Sequence, residues 1–478
     1  MRRIALVVGG LVTGLVVGSA GLAAAATPAA AATKPKPPKL QLQPAAKPFQ
    51  EPRTYVPSGP LFNLPTGTLE QAGAIDLYLK RLIRNTPKGA EINVSLFRLQ
   101  TKGMASALVE AHRKGVKVRV VLDTDSLKKK VETYDYLVKQ LGTDMTKPSW
   151  VTLCPTTRGC IADKSKPDSW SKNHNKFYVF SQTYDSKNVV VQTSGNATGG
   201  MYNQFNDAYT TTDAKLYGAF RSYFYDQAKK TPNKDYWRTI TSGGTTASFF
   251  PKAAGDPIVD ILGRVNCAGG TKLRLTSGLF TRDKVAAKLS ELDHDGCDVQ
   301  IASGSLGESV AKKLTMPGKG DGPQVRYFAG ANVQAAHSKY LLIDGLYAGK
   351  KRRLVVTGSH SYTWDALRNN DEAMLSIDNA ATFNAYAGNF ARVFAAAKGR
   401  LQVGSLIKPP LVSDGAPSVE NEVPNPALPT APNAPAAPTP PGAQEQPARE
   451  REAGLPPVGE APEDGPLGQA VDPTGPGD

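Results

Sequence analysis

One arrangement of helices and strands occurs twice in this chain, and it limits the possible folds more than any other feature. In the first copy, apolar residues at helical spacing (75–83) precede an alternating, strand-like run (92–98). A second helix, which ends at Gly115, then precedes the apolar run 116–122. The second copy repeats this order over 258–265, 272–275, 285–292 and 299–302, with its second helix ending near Gly296. Helices alternating with short apolar strands predict an α/β fold with largely parallel pairing, built from two similar sandwich halves related by pseudo-two-fold symmetry.

Each copy continues into a strand that begins with His-x-Lys. The first contains His174 and Lys176, and the second contains His337 and Lys339. Residues i and i+2 of a strand project from the same face, so an imidazole and an ammonium at this spacing can reach one phosphate. A surface His-Lys pair at a strand edge is the alternative for either motif alone, but repetition at equivalent places favours duplication of one functional unit.

A carboxylate follows each motif at the same distance from a small polar turn. Asp207 lies eleven residues after Asn196, and Glu372 lies eleven residues after Ser361. We predict that each carboxylate accepts a hydrogen bond from the far ring nitrogen of a histidine and fixes its tautomer. A structural salt bridge is the alternative for both.

The two motifs resemble the HxKxxxxD signature of the phospholipase D superfamily, with its following GSxN turn and downstream acidic residue, over residues 55–405. His337, Lys339 and Asp344 match the signature completely, and Gly358 and Ser359 match the Gly-Ser turn, with Ser361 at the usual Asn position.

The first half departs from the family pattern at two positions, one in the motif and one in the turn. Ser181 stands where the family has Asp, and the turn 193–196 has Thr in place of Gly before Ser194 and Asn196. A decayed, non-catalytic first half therefore remains an alternative.

The resemblance implies two halves around one shared active site, with a phosphohistidine intermediate and no metal or cofactor. His174 would be the nucleophile and His337 the general acid, an order that could be reversed. The implied catalytic set is His174, His337, Lys176, Lys339, Asp344, Glu372 and Asp207, and the implied substrate-binding set is Asn196, Ser194, Ser359 and His360. His112 and His294 are predicted to be structural, and the glycine-rich stretch 318–322 is predicted to be a loop near the second site.

The ends of the chain differ in composition from its middle. Met1-Arg2-Arg3, an apolar run and an alanine cluster predict a cleaved signal peptide over residues 1–32, with an uncleaved membrane anchor as the alternative. We then expect a Pro/Lys/Ala-rich linker (33–54), an N-terminal half (55–245), a C-terminal half (246–405) and a disordered Pro/Ala/Glu-rich tail (406–478). The chain has four cysteines in two sequence-local pairs, Cys154/Cys160 and Cys267/Cys297. Because disulfides form in exported proteins, we predict one disulfide within each pair rather than a zinc site.

Charge indicates an anionic partner without identifying it. The chain has a formal net charge of +15 although its last 65 residues contain eleven acidic and only two basic residues. A basic folded part attracts phospholipid head groups and nucleic acid alike. We predict a monomeric, secreted phospholipase D acting on a phospholipid or membrane surface. A nuclease of the same superfamily and a non-catalytic protein that binds anionic polymers are the alternatives.

Overall fold

The computed structural model describes residues 53–401, apart from residues 129, 168, 316–321 and 329–334, together with the backbone of Leu411–Val412. The predicted signal peptide, nearly all of the linker, the tail apart from that short strand, and most of the loop 318–322 lie outside these residues. Within the described part of the chain, no helix is long and apolar enough to cross a membrane.

The first half contributes eight strands and five helices to the described structure. The strands are β1 (Gly59–Phe62), β2 (Glu91–Leu96), β3 (Lys117–Leu122), β4 (Trp150–Leu153), β5 (Lys176–Thr183), β6 (Ser186–Thr193), β7 (Gln204–Phe205) and β8 (Asp207–Thr211). The helices are α1 (Leu69–Ala72), α2 (Ala74–Arg84), α3 (Lys102–Arg113), α4 (Val131–Leu141) and α5 (Ala214–Lys229), with 3-10 turns at Thr124–Leu127 and Gly199–Asn203. All strands except β7 form one sheet in the order β1-β8-β6-β5-β2-β3-β4.

The second half contributes the remaining described elements. Its strands are β9 (Arg238–Ser242), β10 (Thr245–Phe249), β11 (Val265–Asn266), β12 (Lys272–Phe280), β13 (Asp298–Gly307), β14 (Gln324–Tyr327), β15 (Ala335–Ala336), β16 (Tyr340–Tyr347), β17 (Lys350–Gly358), β18 (Ala373–Asp378), β19 (Gly399–Leu401) and β20 (Leu411–Val412). Its helices are α6 (Pro257–Leu262), α7 (Asp283–His294), α8 (Glu308–Leu314), α9 (Trp364–Arg368) and α10 (Ala380–Ala396).

The two sheets repeat one strand order. The second sheet runs β19-β14-β13-β12-β16-β17-β18-β10-β9, so β14-β13-β12-β16-β17-β18 corresponds to β4-β3-β2-β5-β6-β8. The predicted α/β class with two similar halves is therefore confirmed. The hairpin β9–β10 belongs to the second sheet, so the expected boundary at residues 245–246 runs through it.

Parallel pairing is less extensive than predicted. Among the described strands it is found in β2–β3–β4 of the first sheet and in β12–β13–β14 of the second, with the short β20 beside β13. The short pair β7–β15, which joins the two halves, is also parallel. The motif strands β5 and β16 pair antiparallel with β2 and β12. They also pair antiparallel with β6 and β17, to which tight turns connect them, because only antiparallel strands can be joined this way.

Three apolar clusters hold these layers together. One packs α2, α3 and α4 on the outer face of the first sheet, and a second packs α6, α7 and α8 on the second sheet. The largest lies between the sheets and combines α5 with α10, so both halves share one core. Along β5, Phe177 and Val179 face this central cluster while Tyr178 and Phe180 face the outer one, as strand alternation requires.

Both disulfides predicted from the sequence are confirmed. Cys154 is bonded to Cys160 just after β4, and Cys267 is bonded to Cys297 across the segment that contains β12 and α7. The described residues contain no free cysteine.

Candidate active site

Each His-x-Lys motif begins where the chain contacts the opposite half. The backbone N–H of His174 donates to the carbonyl of Asp371 (3.0 Å), and that of His337 donates to the carbonyl of Phe205 (3.0 Å). The middle residue of each motif points away from the histidine, and Ser338, for example, also donates through its hydroxyl to Phe205 (2.9 Å). Each half therefore supplies part of both histidine sites.

The first histidine is held by a carboxylate of the second half. Nδ1 of His174 lies 2.8 Å from Oε1 of Glu372, and both side chains are buried. The hydroxyl of Ser359 donates to the other oxygen, Oε2, at 2.5 Å, and the amide of Asn370 lies 3.3 Å from Oε1. The edge of the Phe97 ring packs on the imidazole with centroids 5.1 Å apart. A nitrogen facing a carboxylate must donate, so Nδ1 carries the hydrogen and Nε2 is the nitrogen left for chemistry.

The second histidine is held by an amide of the first half. Nδ1 of His337 lies 2.7 Å from Oδ1 of Asn206. This oxygen also accepts from the hydroxyl of Ser194 (3.2 Å), while the amide nitrogen of Asn206 faces two nearby backbone carbonyls, each at 3.4 Å. The amide therefore presents its oxygen to the ring, and His337 has the same tautomer as His174 with an uncharged partner.

Asp207 does not contact a histidine, contrary to the prediction. Its carboxylate accepts hydrogen bonds from the hydroxyls of Thr357 (2.5 Å) and Tyr386 (2.8 Å), both in the second half. The residue before it, Asn206, takes the orienting position instead. Asp207 therefore joins the two halves and is removed from the catalytic set.

A difference of one residue between the halves explains this error. The N–H of Ser194 donates to the carbonyl of Asp207 (2.9 Å), and the equivalent N–H of Ser359 donates to the carbonyl of Ala373 (3.0 Å). Asp207 therefore corresponds to Ala373, and in each half the residue just before this carbonyl contacts the histidine. The connection from the turn to the strand is one residue shorter in the first half, so an equal sequence offset identifies the wrong residue.

Each lysine lies against its own histidine. The ammonium of Lys176 is fully buried, donates to the carbonyl of His174 (3.1 Å) and lies 5.3 Å from the Phe97 ring centroid. The ammonium of Lys339 lies 3.2 Å from Nε2 of His337. Lys339 therefore places a positive charge beside the ring nitrogen of His337 that is available for chemistry, and Lys176 places one beside the backbone carbonyl of His174.

Asp344, assigned to the catalytic set, lies outside the site. It is five residues beyond Lys339 on β16, about 16 Å along an extended strand. Its partly exposed carboxylate lies 3.5 Å from the guanidinium of Arg353. Ser181 has the matching place on β5 and accepts from the N–H of Glu91 (2.8 Å). Both residues support a strand end, so the Asp-to-Ser difference leaves the groups around the histidines unchanged.

Two hydroxyls expected to bind substrate orient the histidine partners instead. Ser194 donates to Asn206 and Ser359 donates to Glu372, and the backbone N–H groups of Asp207 and Ala373 in turn donate to these hydroxyls. Their role is therefore to fix the two residues that fix the rings.

The other two residues expected to bind substrate lie in the polar turns. His360 is buried, stacks on Phe250 with centroids 4.3 Å apart and lies 3.4 Å from Arg282. Burial, followed by the charges of Arg282 and His174, lowers the pKa of His360 well below its usual value. Asn196 is also buried, next to the backbone pairing of Ala197 with Leu99. His360 is packed as a neutral core residue rather than displayed to a ligand.

A cluster of buried charges lies behind His174. Lys172 is 2.9 Å from Asp125 and 3.7 Å from Asp123, and Arg98 is 2.7 Å from Asp125. Burial opposes ionisation of Asp125, but the charges of Lys172 and Arg98 lower its pKa to about 2. Burial raises the pKa of Asp123 to about 6, although its carboxylate accepts from the N–H of Asn173 (2.8 Å).

Asp371 is held by a loop that the first disulfide closes. Its carboxylate accepts from the backbone N–H groups of Cys160 (2.6 Å), Ile161 (3.1 Å) and Ala162 (2.6 Å). Burial raises the pKa of Asp371 to about 7, and these three N–H groups act in the opposite direction. Among the described residues, Cys154, Cys160 and Asp371 are the one group close enough to hold a metal ion, but the disulfide removes both thiolates as ligands.

Three of these site residues could not be identified from the sequence. The family pattern has an acidic residue after the turn, which favours Asp207 over its neighbour Asn206, and no sequence pattern marks Asp371, which precedes Glu372. Phe97 carries a weak signal, since it follows directly on β2 at the carboxyl end of a parallel strand, where ligand sites tend to form.

The two halves repeat one sandwich, and each histidine is oriented by a side chain from the opposite half, so the site is built from both halves with pseudo-two-fold symmetry. The family model described as cardiolipin synthase, PLD-like domain, matches residues 79–227 and 263–394, which is more than half of the chain. The chain therefore belongs to the phospholipase D superfamily.

The fold is also similar to distant solved structures. Phosphatidylserine synthase of Haemophilus influenzae aligns with a TM-score of 0.47 at 16% identity over 70% of this chain and 86% of its own. Polyphosphate kinase of Porphyromonas gingivalis aligns with a TM-score of 0.49 at 13% identity. The alignment covers 70% of this chain but only 49% of the kinase. Nuc of Salmonella typhimurium, a phospholipase D family member, covers 32% of this chain at 18% identity, with 96% of its own chain aligned and a TM-score of 0.25. No curated protein sequence matches the chain significantly.

Proposed function

We propose that this protein is a secreted phospholipase D, which hydrolyses a phospholipid to phosphatidic acid and a free head-group alcohol. One observation carries the proposal: two buried histidines, each two residues before a lysine, are each oriented by a polar side chain from the opposite half. The confirmed disulfides and the leader-like first residues support export.

The charges around the two rings support His174 as the nucleophile and His337 as the general acid. When Nε2 of His174 bonds to phosphorus while Nδ1 keeps its hydrogen, the ring carries a positive charge, which the carboxylate of Glu372 offsets at 2.8 Å. His337 has a neutral partner, Asn206, and exchanges a proton at Nε2. It starts the cycle with hydrogen on both ring nitrogens and gives the Nε2 proton to the leaving alcohol as the P–O bond breaks. It then takes a proton from water as the water oxygen attacks phosphorus and releases His174. Lys176 and Lys339 stabilise the charge on the non-bridging oxygens in both steps.

The first experiment tests the substrate class and both histidines. Full-length protein in EDTA is incubated with phosphatidylcholine vesicles and with plasmid DNA, and free choline and strand nicking are measured. We expect choline release, reduced roughly 1,000-fold or more by His174→Ala and by His337→Ala. His112→Ala is the matched control, because this histidine contacts Ser149 (3.0 Å) on the outer side of the first sheet. Nicking without choline release would make the protein a nuclease, and neither product would support the binding-protein alternative.

A second experiment separates the two roles. A radiolabelled phosphodiester with a good leaving group, such as p-nitrophenol, needs no acid to expel it, so His337→Ala should still form the phosphoenzyme and then accumulate it. His174→Ala should form none. Label on the His174→Ala protein but not on the His337→Ala protein would reverse the assignment.

A further inference from the structure

Two tryptophans are exposed on one surface close to the candidate active site. The chain has four tryptophans, of which Trp150 is buried and Trp237 is half-buried. Trp170 is 42% exposed and Trp364 is 47% exposed. A large amphipathic ring left in solvent marks an interaction surface more often than a single exposed aliphatic residue does.

Hydrogen bonds between the halves hold the two tryptophan segments together. The indole N–H of Trp364, at the start of α9, lies 3.4 Å from the hydroxyl of Ser165 in the loop before His174. The N–H of Ser165 donates to Asn369 (2.9 Å). The two rings are therefore presented by one connected surface.

Basic side chains surround both rings. Lys128 and Lys172 lie 5.8 Å and 5.4 Å from the Trp170 ring centroid. Lys166 and Arg368 lie 5.9 Å and 5.0 Å from that of Trp364. We call the set Trp170, Trp364, Lys128, Lys166, Lys172 and Arg368 the tryptophan rim. Asp163 and Asp365 are the acidic side chains described on its two segments. Asp125 lies 3.0 Å from Lys128 and 2.9 Å from Lys172 and offsets part of their charge, whereas no described carboxylate forms an ion pair with Lys166 or Arg368.

The rim is directly connected to the His174 site. Asn370 accepts from the N–H of Lys172 (3.1 Å), and its amide lies 3.3 Å from the carboxylate of Glu372, which holds His174. Trp170 lies four residues before His174. A surface to which the rim binds would therefore lie beside the residues that act on a phosphodiester.

We propose that the tryptophan rim docks the protein on an anionic phospholipid bilayer, which deepens the proposed function and depends on it. Tryptophan favours the head-group level of a bilayer, because its large ring is apolar while its N–H is polar. Each nearby Lys or Arg adds attraction to anionic lipids that salt screens. Single-stranded nucleic acid fits less well, because a base stacks on a free ring face and cations already lie over both indoles.

Vesicle sedimentation tests the docking surface. Full-length protein is mixed with vesicles of phosphatidylglycerol and phosphatidylcholine or of phosphatidylcholine alone, and bound protein is measured at low and high salt. We expect binding to the anionic vesicles that falls with salt, and a loss of roughly tenfold or more for the double variant Trp170→Ala/Trp364→Ala. Tyr55→Ala is the matched control, since Tyr55 is 60% exposed and lies outside the rim.

A soluble substrate separates docking from chemistry. The double variant should hydrolyse bis(p-nitrophenyl) phosphate within about twofold of wild type, with an unchanged melting temperature, because the rim does not touch the histidines. Unchanged vesicle binding by the double variant, absent vesicle binding by wild type, or loss of DNA binding in place of vesicle binding would each overturn the docking proposal. Tryptophan-dependent vesicle binding without hydrolysis of any phosphodiester would uphold docking and refute the enzymatic function.

Discussion

The two histidine sites occupy equivalent positions in the duplicated fold but differ in charge. His174 has a carboxylate partner, Glu372, whereas His337 has an uncharged amide partner, Asn206. Phe97 packs on the His174 ring. At the equivalent place beside His337 lies Gly278, where an added Cβ would be 3.7 Å from the ring. Duplication preserved the positions of the ring-orienting residues but not their chemistry, so the two rings are suited to different steps.

The backbone supports of the two histidines differ as well. The carbonyl that accepts from the His174 N–H belongs to Asp371, a buried acid held by three backbone N–H groups. Its counterpart behind His337 is Phe205, a buried aromatic that packs on Phe328. The first site therefore rests on an ionisable group and a disulfide loop, while the second rests on apolar packing.

The largest effects on kcat and its pH profile should come from removing the charge of Glu372 and adding a charge at Asn206. Glu372→Gln keeps an acceptor for Nδ1 but removes the negative charge, so we expect kcat to fall roughly 100-fold with KM little changed. Asn206→Asp adds a carboxylate beside His337, so its acid form persists to higher pH and the high-pH limb of the kcat profile moves upward. Steady-state kinetics over pH 5–9 measures both.

Matched replacements make that test specific. Asn206→Ala removes the orienting group without adding charge, so kcat should fall while the position of the high-pH limb changes little. Equal losses in Glu372→Gln and Asn206→Ala, with no shift of the limb in Asn206→Asp, would mean that the two partners only position the rings and that their difference in charge is incidental.

Removing either disulfide should have a smaller effect, and the two should differ in whether activity or stability is lost more. Cys154–Cys160 spans six residues and closes the loop that binds Asp371, whereas Cys267–Cys297 spans thirty and has no contact with either histidine. In the chain-entropy model, removing the first costs about 2 kcal/mol of unfolding free energy and removing the second costs about 3.6 kcal/mol.

Activity should follow the opposite order. Replacing Cys154 and Cys160 by Ser should lower kcat by about tenfold, because the loop behind His174 loosens. Replacing Cys267 and Cys297 should leave kcat nearly unchanged at a temperature where the variant remains folded. Urea unfolding and kinetics on wild type and the two double variants provide the measurement, and the reverse order of activities would contradict the role of the first loop.

The sequence predicted the repeated elements well because each is a local pattern. Apolar periodicity located the helices and strands, and the spacing of His174 with Lys176 and of His337 with Lys339 placed each pair at the start of a motif strand. The extent of parallel pairing was overestimated, because the order of strands within a sheet depends on contacts between distant segments. Local periodicity contains no information about those contacts.

The site residues that were missed depend on three-dimensional register. Asp207 and Glu372 both precede alanine and have the same offset from a polar turn, yet the strand pairing aligns Asp207 with Ala373. The hydrogen bonds of the two turn serines agree with this pairing and identify Asn206 as the counterpart of Glu372. Where two copies differ by one residue in a connection, counting along the chain cannot identify which side chain reaches the ring.

The smallest predicted effect is a difference in how stability depends on pH. Burial raises the pKa of Asp371 to about 7 from the ordinary value of 3.8, so between these pH values the folded protein keeps a proton that the unfolded chain has released. Stability from this group is complete below pH 4 and is lost as the pH rises to about 7, at up to about 1.4 kcal/mol per pH unit.

Asp371→Asn lacks this titration, so its free energy of unfolding should be lower overall but fall less steeply between pH 4 and 7 than that of wild type. Asp123→Asn, which removes a group with a pKa of about 6, should flatten only the part below pH 6. Urea unfolding midpoints at four pH values measure this difference. Parallel plots of unfolding free energy against pH for wild type and Asp371→Asn would contradict the prediction. They would mean that the support behind His174 is as insensitive to pH as the Phe205 support behind His337.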